Sequence, residues 1–377
     1  MQLPFFERLR GWRDRTLASA EFQRWAADFP LTRPVAQRRA RQLFDITAGF
    51  VYSQILYACV ELDLFDILAG GPRSAAELSG RMGMSEAAAE RLLRAAVAVD
   101  LLERRGRDGG GRTRYALGRL GVAMPGNAGI AAMVRHHRML YRDLTDPLAL
   151  LRGELPQTEL GRYWSYAGSA DPARDGDERV GEYSALMTAS NTFVAEDTLD
   201  AYPLRHHKCL LDIAGGEGRF LVQAGKRWPH LTLMLFDLPA VVERAARNFE
   251  QAGLADRVRC IGGDLKTETL PEGADIVSLV RVIHDHDDAE ALGILRAARA
   301  ALPAGGTLLL SEPMAETPGA ESVGDAYFGL YLLAMGSGRP RPPRELKAML
   351  RQAGFDDIRL VRTRRPMQTR LMLAKAA

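Results

Sequence analysis

Between residues 208 and 313 short apolar runs alternate with helical stretches, and this alternation constrains the fold more than any other feature of the chain. The runs are CLLDIA (209–214), LTLMLFD (231–237), VRCIGGD (258–264), ADIVSLVRV (274–282) and GTLLLSEP (306–313). Between them lie FLVQAGKRW, AVVERAARNFEQAG and AEALGILRAARAAL. Runs that are apolar on both faces belong to buried parallel strands, and the intervening helices predict a parallel sheet covered on both sides.

The first run ends in LLDIAGGEGRF, with Gly215, Gly216 and Gly218 at the turn from strand to helix. Glycine lets a backbone approach a ligand closely. Dinucleotide enzymes use such a turn to seat a pyrophosphate at the helix N-terminus. Here Asp212 precedes the turn and Glu217 lies within it, and both would repel a phosphate. A ligand with a positive sulfonium and an amino acid tail suits them better. Asp237 ends the second run, nineteen residues after Gly218, where a carboxylate accepts hydrogen bonds from two ribose hydroxyls. Asp264 ends the third run, within reach of an adenine amine, and Leu265 is expected to pack on the ring.

His284 follows the run ADIVSLVRV, at the strand edge where ligands bind in such sheets. Placement alone leaves a general base and a capping histidine equally open. The run HDHDD (284–288) looks like a metal cluster on paper, but adjacent side chains diverge and helix capping accounts for Asp287 and Asp288, so no metal is expected. Asp285 is read as a loop-holding residue. The segment DAYFGLYLLAMG (325–336) is apolar and aromatic, and with the helices of 121–200 it is expected to line a pocket for a large apolar acceptor.

The chain before the sheet divides in three. Residues 1–43 form a basic helical arm, with nine Arg against five Asp or Glu in residues 1–45. The arm either packs on another subunit or its own chain, the preferred reading, or lies on an anionic membrane surface. Residues 44–120 read as three helices and a hairpin, a winged helix. Ser74 with Glu77 forms a capping-box pattern, and Ser85 starts the helix expected at 86–102. That helix offers only Arg91 and Arg94 to a base edge, so protein packing is expected and nucleic acid is not. Residues 121–200 read as a helical connecting segment, and 201–377 as the sheet domain. A net charge of only +3 agrees with the absence of a nucleic-acid partner. No stretch reaches about 18 uninterrupted apolar residues, and the N-terminus lacks the core of a signal peptide. Cys59, Cys209 and Cys260 are too few and too far apart for a disulfide scaffold, which fits a reducing cytoplasm.

LLDIAGGEGRF, FDLPAVVERA, GGD, VIHDHDD and SEP together resemble class I S-adenosylmethionine-dependent O-methyltransferases of the caffeate-type small-molecule family, over roughly residues 44–377. The resemblance implies an α/β fold: a C-terminal Rossmann-like methyltransferase domain with an N-terminal, mostly helical winged-helix dimerisation domain, and hence a homodimer. It implies S-adenosylmethionine held by Asp212, Gly215, Gly216, Gly218, Asp237, Leu238, Asp264 and Leu265, with S-adenosylhomocysteine as product. It makes His284 the general base and Glu312 the carboxylate that orients it. Ala214 departs from the family pattern, which has a glycine there. Pro340 stands where the family often places a second orienting glutamate. FDITAGFVYSQILYACVELDLFDIL, TASNTFVAEDTLDAY and AMGSGRPRP further resemble the bacterial hydroxyneurosporene (demethylspheroidene) O-methyltransferases, which methylate the tertiary C1 hydroxyl of acyclic carotenoids in purple phototrophs. This implies an apolar acceptor and a cytoplasmic enzyme touching the inner or intracytoplasmic membrane through its arm. The rival expectations are a methyltransferase of a phenolic natural product or tetrapyrrole, and a non-catalytic winged-helix regulator.

Overall fold

The computed structural model describes residues 3–167, 193–265 and 267–377, which form two compact units, 1–126 and 127–377. The expected loop GSADPARDGDERVG and most of the stretch SALMTASNTFV lie outside the described residues.

In the first unit the arm is two helices rather than one, α1 (Leu3–Ala18) and α2 (Ala20–Asp28). Ser19 breaks them, because its Oγ accepts from the Phe22 amide (3.1 Å) and caps α2. α3 (Arg33–Glu61) then runs unbroken through the boundary expected at 43/44. At 29 residues it is long and apolar enough, by length and composition, to cross a membrane. Its apolar run is not uninterrupted, because Asp45, Ser53 and Gln54 punctuate the sequence. Leu43, Phe44, Ile46 and Phe50 are each more than 60% exposed on this helix. α4 (Leu64–Ala69), α5 (Ala75–Ser79) and α6 (Glu86–Ala98) follow, with a three-stranded sheet in the order β1 (Arg73–Ser74), β3 (Thr113–Leu117), β2 (Leu102–Arg107). Both expected caps form. The Ser74 amide donates to Glu77 Oε2 (2.7 Å) and Ser85 Oγ accepts from the Ala88 amide (3.2 Å). α6 buries Ala89, Leu93 and Ala96 and ends four residues earlier than expected.

The second unit opens with α7 (Ala128–Asp143), α8 (Pro147–Arg152), α9 (Glu159–Ala167) and a helical stretch, α10 (193–201). The sheet strands are β4 (Cys209–Ile213), β5 (Thr232–Asp237), β6 (Val258–Gly262), β7 (Ile276–Val280), β8 (Thr307–Glu312), β9 (Phe355–Val361) and β10 (Arg370–Ala376), in the order β6-β5-β4-β7-β8-β10-β9. β6 through β8 are parallel, as expected, but the sheet as a whole is mixed. β9 and β10 are consecutive strands joined by only residues 362–369, and so short a connection forces an antiparallel pair. The parallel strands alternate with α11 (Arg219–Arg227), α12 (Pro239–Gln251) and α13 (Asp288–Ala300), and α15 (Pro343–Gln352) precedes β9. Both sheet faces are dry. Leu211, Ile213, Val277 and Leu310 are fully buried in one core cluster, and Leu210, Leu233, Leu235 and Leu309 in the other. From β4 the chain winds outward through β5 and β6, then returns to β7 on the other side. The strand order therefore reverses beside β4, where the C-terminal ends of the strands leave a crevice. Above it stand α7, α9, a π-helical stretch Ser322–Phe328 and α14 (Gly329–Met335).

Candidate active site

A cavity of about 520 Å³ opens at these strand ends, within the range of small-molecule sites. One half is built by the β4 turn. Asp212 is fully buried. Its Oδ1 accepts from Ser278 Oγ (2.6 Å), while Oδ2 has no partner among the described residues. Burial pushes its pKa up to about 7. An unpaired buried carboxylate oxygen on a cavity wall fits a cationic ligand group. Gly215 is required by it, because a Cβ there would lie 2.3 Å from Asp212 Oδ2. Ala214 adopts φ 51° and still donates its amide to the Phe236 carbonyl (2.8 Å), so the turn forms without the family's glycine.

Asp237 is gripped from two sides. Its Oδ2 accepts from the Gly216 amide and its Oδ1 from the Leu238 amide, both at 2.7 Å. Burial raises its pKa, although both backbone bonds favour the charged form. Each oxygen keeps a further lone pair for a ligand hydroxyl. Asp212, Gly215, Gly216, Asp237, Leu238 and His284 all line the one cavity. Gly218, Asp264, Leu265 and Glu312 are not among its lining residues. Gly218 serves packing, since at φ 77° its missing Cβ would meet the Phe249 ring at 2.2 Å. Asp264 lies two residues beyond β6 rather than at its end, with its amide donating to Glu268 Oε1 (3.3 Å). Glu217 pairs with Arg244 (3.4 Å), which offsets the charge that the sequence assigned to the turn.

The other half centres on His284, which is 5% exposed. Glu312, at the end of β8, accepts the Val282 and Ile283 amides at Oε1 (3.0 and 2.7 Å) and faces His284 Nδ1 with Oε2 at 2.5 Å. Nδ1–H is thereby committed to Glu312, and Nε2 is the nitrogen left to act. Burial pulls the His284 pKa down. Asp285 and then Glu312 pull it up, and the net direction is up. Asp285 does more than hold the loop. It lines the cavity, with Oδ1 3.1 Å from His284 Nε2. Arg281, in the left-handed region at φ 59°, also lines the cavity, its guanidinium 6.0 Å from the Phe328 ring centre.

The remaining acidic residues of the HDHDD run diverge as expected, but capping does not explain them. Asp287 makes no side-chain capping bond and instead accepts from the Gly338 amide (2.9 Å). Asp288 accepts from Arg339 and Arg341. His286 faces Glu290. Among the described residues no cluster of three His, Cys, Asp or Glu could hold a metal.

Residues 337–341 clasp this loop. Ser337 Oγ donates to the Asp285 carbonyl (2.9 Å) and the Arg339 amide to the His284 carbonyl (2.9 Å). Arg341 is 2% exposed and donates to the Ile283 carbonyl (2.7 Å), the His286 carbonyl (2.7 Å) and Asp288 Oδ1 (2.8 Å). Where Pro340 replaces a carboxylate, the buried guanidinium of the next residue holds the catalytic loop through its carbonyls. The sequence signal was the density of Arg and Pro in GRPRPPR, which reads as an exposed loop and conceals a buried arginine. The acceptor side of the cavity draws on Met133 of α7, Trp164 of α9, and Tyr327, Phe328, Tyr331 and Met335.

Residues 141–356 match the O-methyltransferase domain family, and residues 44–124 match the O-methyltransferase dimerisation domain. The demethylspheroidene O-methyltransferase of Cereibacter sphaeroides is 41% identical over 93% of this chain and 91% of its own length. The 3-hydroxy-5-methyl-1-naphthoate 3-O-methyltransferase of Streptomyces sahachiroi is 30% identical over 86% of this chain and 92% of its own. The solved mitomycin 7-O-methyltransferase superposes with a TM-score of 0.75 at 25% identity, covering 91% of this chain and all of the other. The human N-acetylserotonin methyltransferase, solved in complex with SAM, superposes with a TM-score of 0.74 at 24% identity, covering 89% of this chain and 97% of its own.

Proposed function

The chain belongs to the S-adenosylmethionine-dependent O-methyltransferase family, and from that premise we propose that it methylates the tertiary C1 hydroxyl of an acyclic hydroxycarotenoid with His284 as general base. The observation that carries the reading is the Glu312–His284 pair, which commits Nδ1 and leaves Nε2 at the wall of the cavity that also contains Asp212 and Asp237. The acceptor class is carried over from the demethylspheroidene enzymes and supported by the aromatic, thioether-rich wall opposite His284.

S-adenosylmethionine, when bound, supplies an electrophilic methyl group on a positive sulfur. Asp237 accepts hydrogen bonds from the ribose hydroxyls, and Asp212 Oδ2 balances the ammonium. Gly215 and Gly216 let the backbone come close, Gly218 seats the turn on α12, and Leu238 covers the nucleoside. Asp264 serves the adenine amine and Leu265 its ring face. A tertiary alcohol is too weak an acid to ionise beforehand, so its proton leaves as the new bond forms. His284 Nε2 takes that proton, and Glu312 stabilises the resulting imidazolium. Asp237→Ala is expected to weaken cofactor binding by about 1–3 kcal/mol, the scale of bonds to a charged group. Calorimetry with S-adenosylmethionine checks this, and unchanged affinity would remove Asp237 from the site.

The protein acts as a homodimer through the region that matches the dimerisation domain, with the exposed apolar residues of α3 as part of the contact. Light scattering at micromolar concentration should give twice the chain mass, and a monomer with full activity contradicts this. Phe6, Leu9, Trp12 and Trp25 are exposed among arginines on α1 and α2, which supports contact between the arm and an anionic inner membrane that holds a lipid-soluble acceptor. Binding to anionic vesicles that survives deletion of residues 1–28 would contradict that role.

A further inference from the structure

The far wall of the acceptor cavity contains polar atoms, yet it offers none of them to a ligand. Tyr331 Oη lies 2.7 Å from His136 Nε2 and accepts from Trp164 Nε1 (3.0 Å). Tyr327 Oη lies 2.8 Å from His137 Nε2 and donates to Met133 Sδ (3.7 Å). Each phenol hydroxyl therefore has two partners behind the wall. Burial drives the pKa of His136 down to about 4 and that of His137 down as well, so both rings are neutral and bring no charge to the cavity. What remains facing the ligand is ring surface and thioether, with Phe328 set edge-on between Tyr327 and His284. The polar groups that the cavity does present, Asp285 and Arg281, cluster at the His284 end.

We infer that the His136–Tyr331 and His137–Tyr327 pairs determine acceptor specificity by keeping the wall's own hydroxyls occupied, so that the pocket selects a single hydroxyl at the end of an unbroken hydrocarbon. The inference rests on the proposed reaction for which end of the acceptor meets His284. A second hydroxyl lodged against this wall loses its water and finds no partner. The expected penalty is about 5- to 150-fold in affinity, equivalent to about 1–3 kcal/mol at 1.4 kcal/mol per tenfold. A site with a free polar group would show the opposite preference, because an unfilled partner penalises the apolar ligand.

The test uses the full-length protein saturated with S-adenosylhomocysteine, so that no turnover occurs. Calorimetry compares 2-methyldecan-2-ol with 9-methyldecane-1,9-diol, which adds a hydroxyl at the far end. The wild-type protein is expected to favour the mono-ol by about 5- to 150-fold. His136→Phe and His137→Phe each release a phenol hydroxyl, and the preference should fall by at least about 5-fold in one or both. Equal affinity in the wild type overturns the inference, as does an unchanged preference in both variants with intact S-adenosylhomocysteine binding. If the histidine variants do not fold, Tyr327→Phe and Tyr331→Phe decide. They keep the wall apolar and should retain the preference, and a collapse of the preference would overturn it. Discrimination as expected without methyl transfer to any tertiary alcohol contradicts the proposed reaction but not the wall assignment. Methyl transfer without discrimination does the reverse.

Discussion

His284→Ala is expected to lower kcat by about 10²–10⁴-fold, the usual contribution of general-base catalysis, with S-adenosylmethionine affinity essentially unchanged. The cofactor contacts come from β4 and β5, whereas the lost contact forms only as the proton moves. The pH profile adds a second readout. Asp285 and Glu312 hold the His284 pKa above its ordinary 6.5, and the base works only when Nε2 is unprotonated. The rate should therefore rise with pH through a midpoint above 6.5. Glu312→Gln removes one of the groups that raise this pKa, so the midpoint should move toward lower pH, with a smaller loss of rate than His284→Ala. A phenolic acceptor would escape the His284→Ala defect at high pH by ionising in water, and a tertiary alcohol would not. Near-wild-type turnover of His284→Ala would remove it as the base.

Arg341→Met should have the largest effect outside the cavity. The methionine fills much of the same space but leaves the buried carbonyls of Ile283 and His286 without donors, and Asp288 with Arg339 alone of its two arginine partners. Breaking a buried charged network typically costs about 3–5 kcal/mol of stability. The loop that carries His284 would also shift, and a displacement of about 1 Å is enough for an on the order of 10²-fold loss of rate. Arg341→Lys should not restore it, because one ammonium does not reproduce the planar fork that reaches three acceptors. Arg341 is a positioning residue, so added guanidinium ion should recover part of kcat in Arg341→Ala without changing cofactor affinity. Denaturant unfolding and steady-state kinetics together check this, and a variant with wild-type stability and kcat would show that the loop does not depend on the guanidinium.

The parallel strands were legible because each is a dry apolar run closed by a turn signal, and the caps at Ser74 and Ser85 because local spacing alone determines them. β9 and β10 escaped notice. FDDIRLV is a half-exposed edge strand whose charges face solvent, and neither strand is flanked by the strand–helix alternation that revealed the others. Residues whose roles depend on main-chain position, such as Asp212, Asp237 and His284, could be located from where a strand ends. Asp285 and Arg341 could not. The first turns back onto its neighbour's ring, and the second is buried by a chain crossing 53 to 58 residues away from its partners. The two histidine–tyrosine pairs join residues 190 and 195 positions apart, a separation to which no local pattern in α7 or α14 points.

The most direct measurement incubates the purified protein with S-adenosylmethionine carrying a trideuterated methyl group and an acyclic 1-hydroxycarotenoid, and analyses the product by mass spectrometry. Methylation of a tertiary alcohol with His284 as base predicts one trideuteromethyl group on the C1 oxygen in the wild-type product, with the rate reduced at least about 10²-fold in His284→Ala. Absence of the labelled methyl ether while a phenolic acceptor is readily methylated, or equal labelling by His284→Ala, would contradict it.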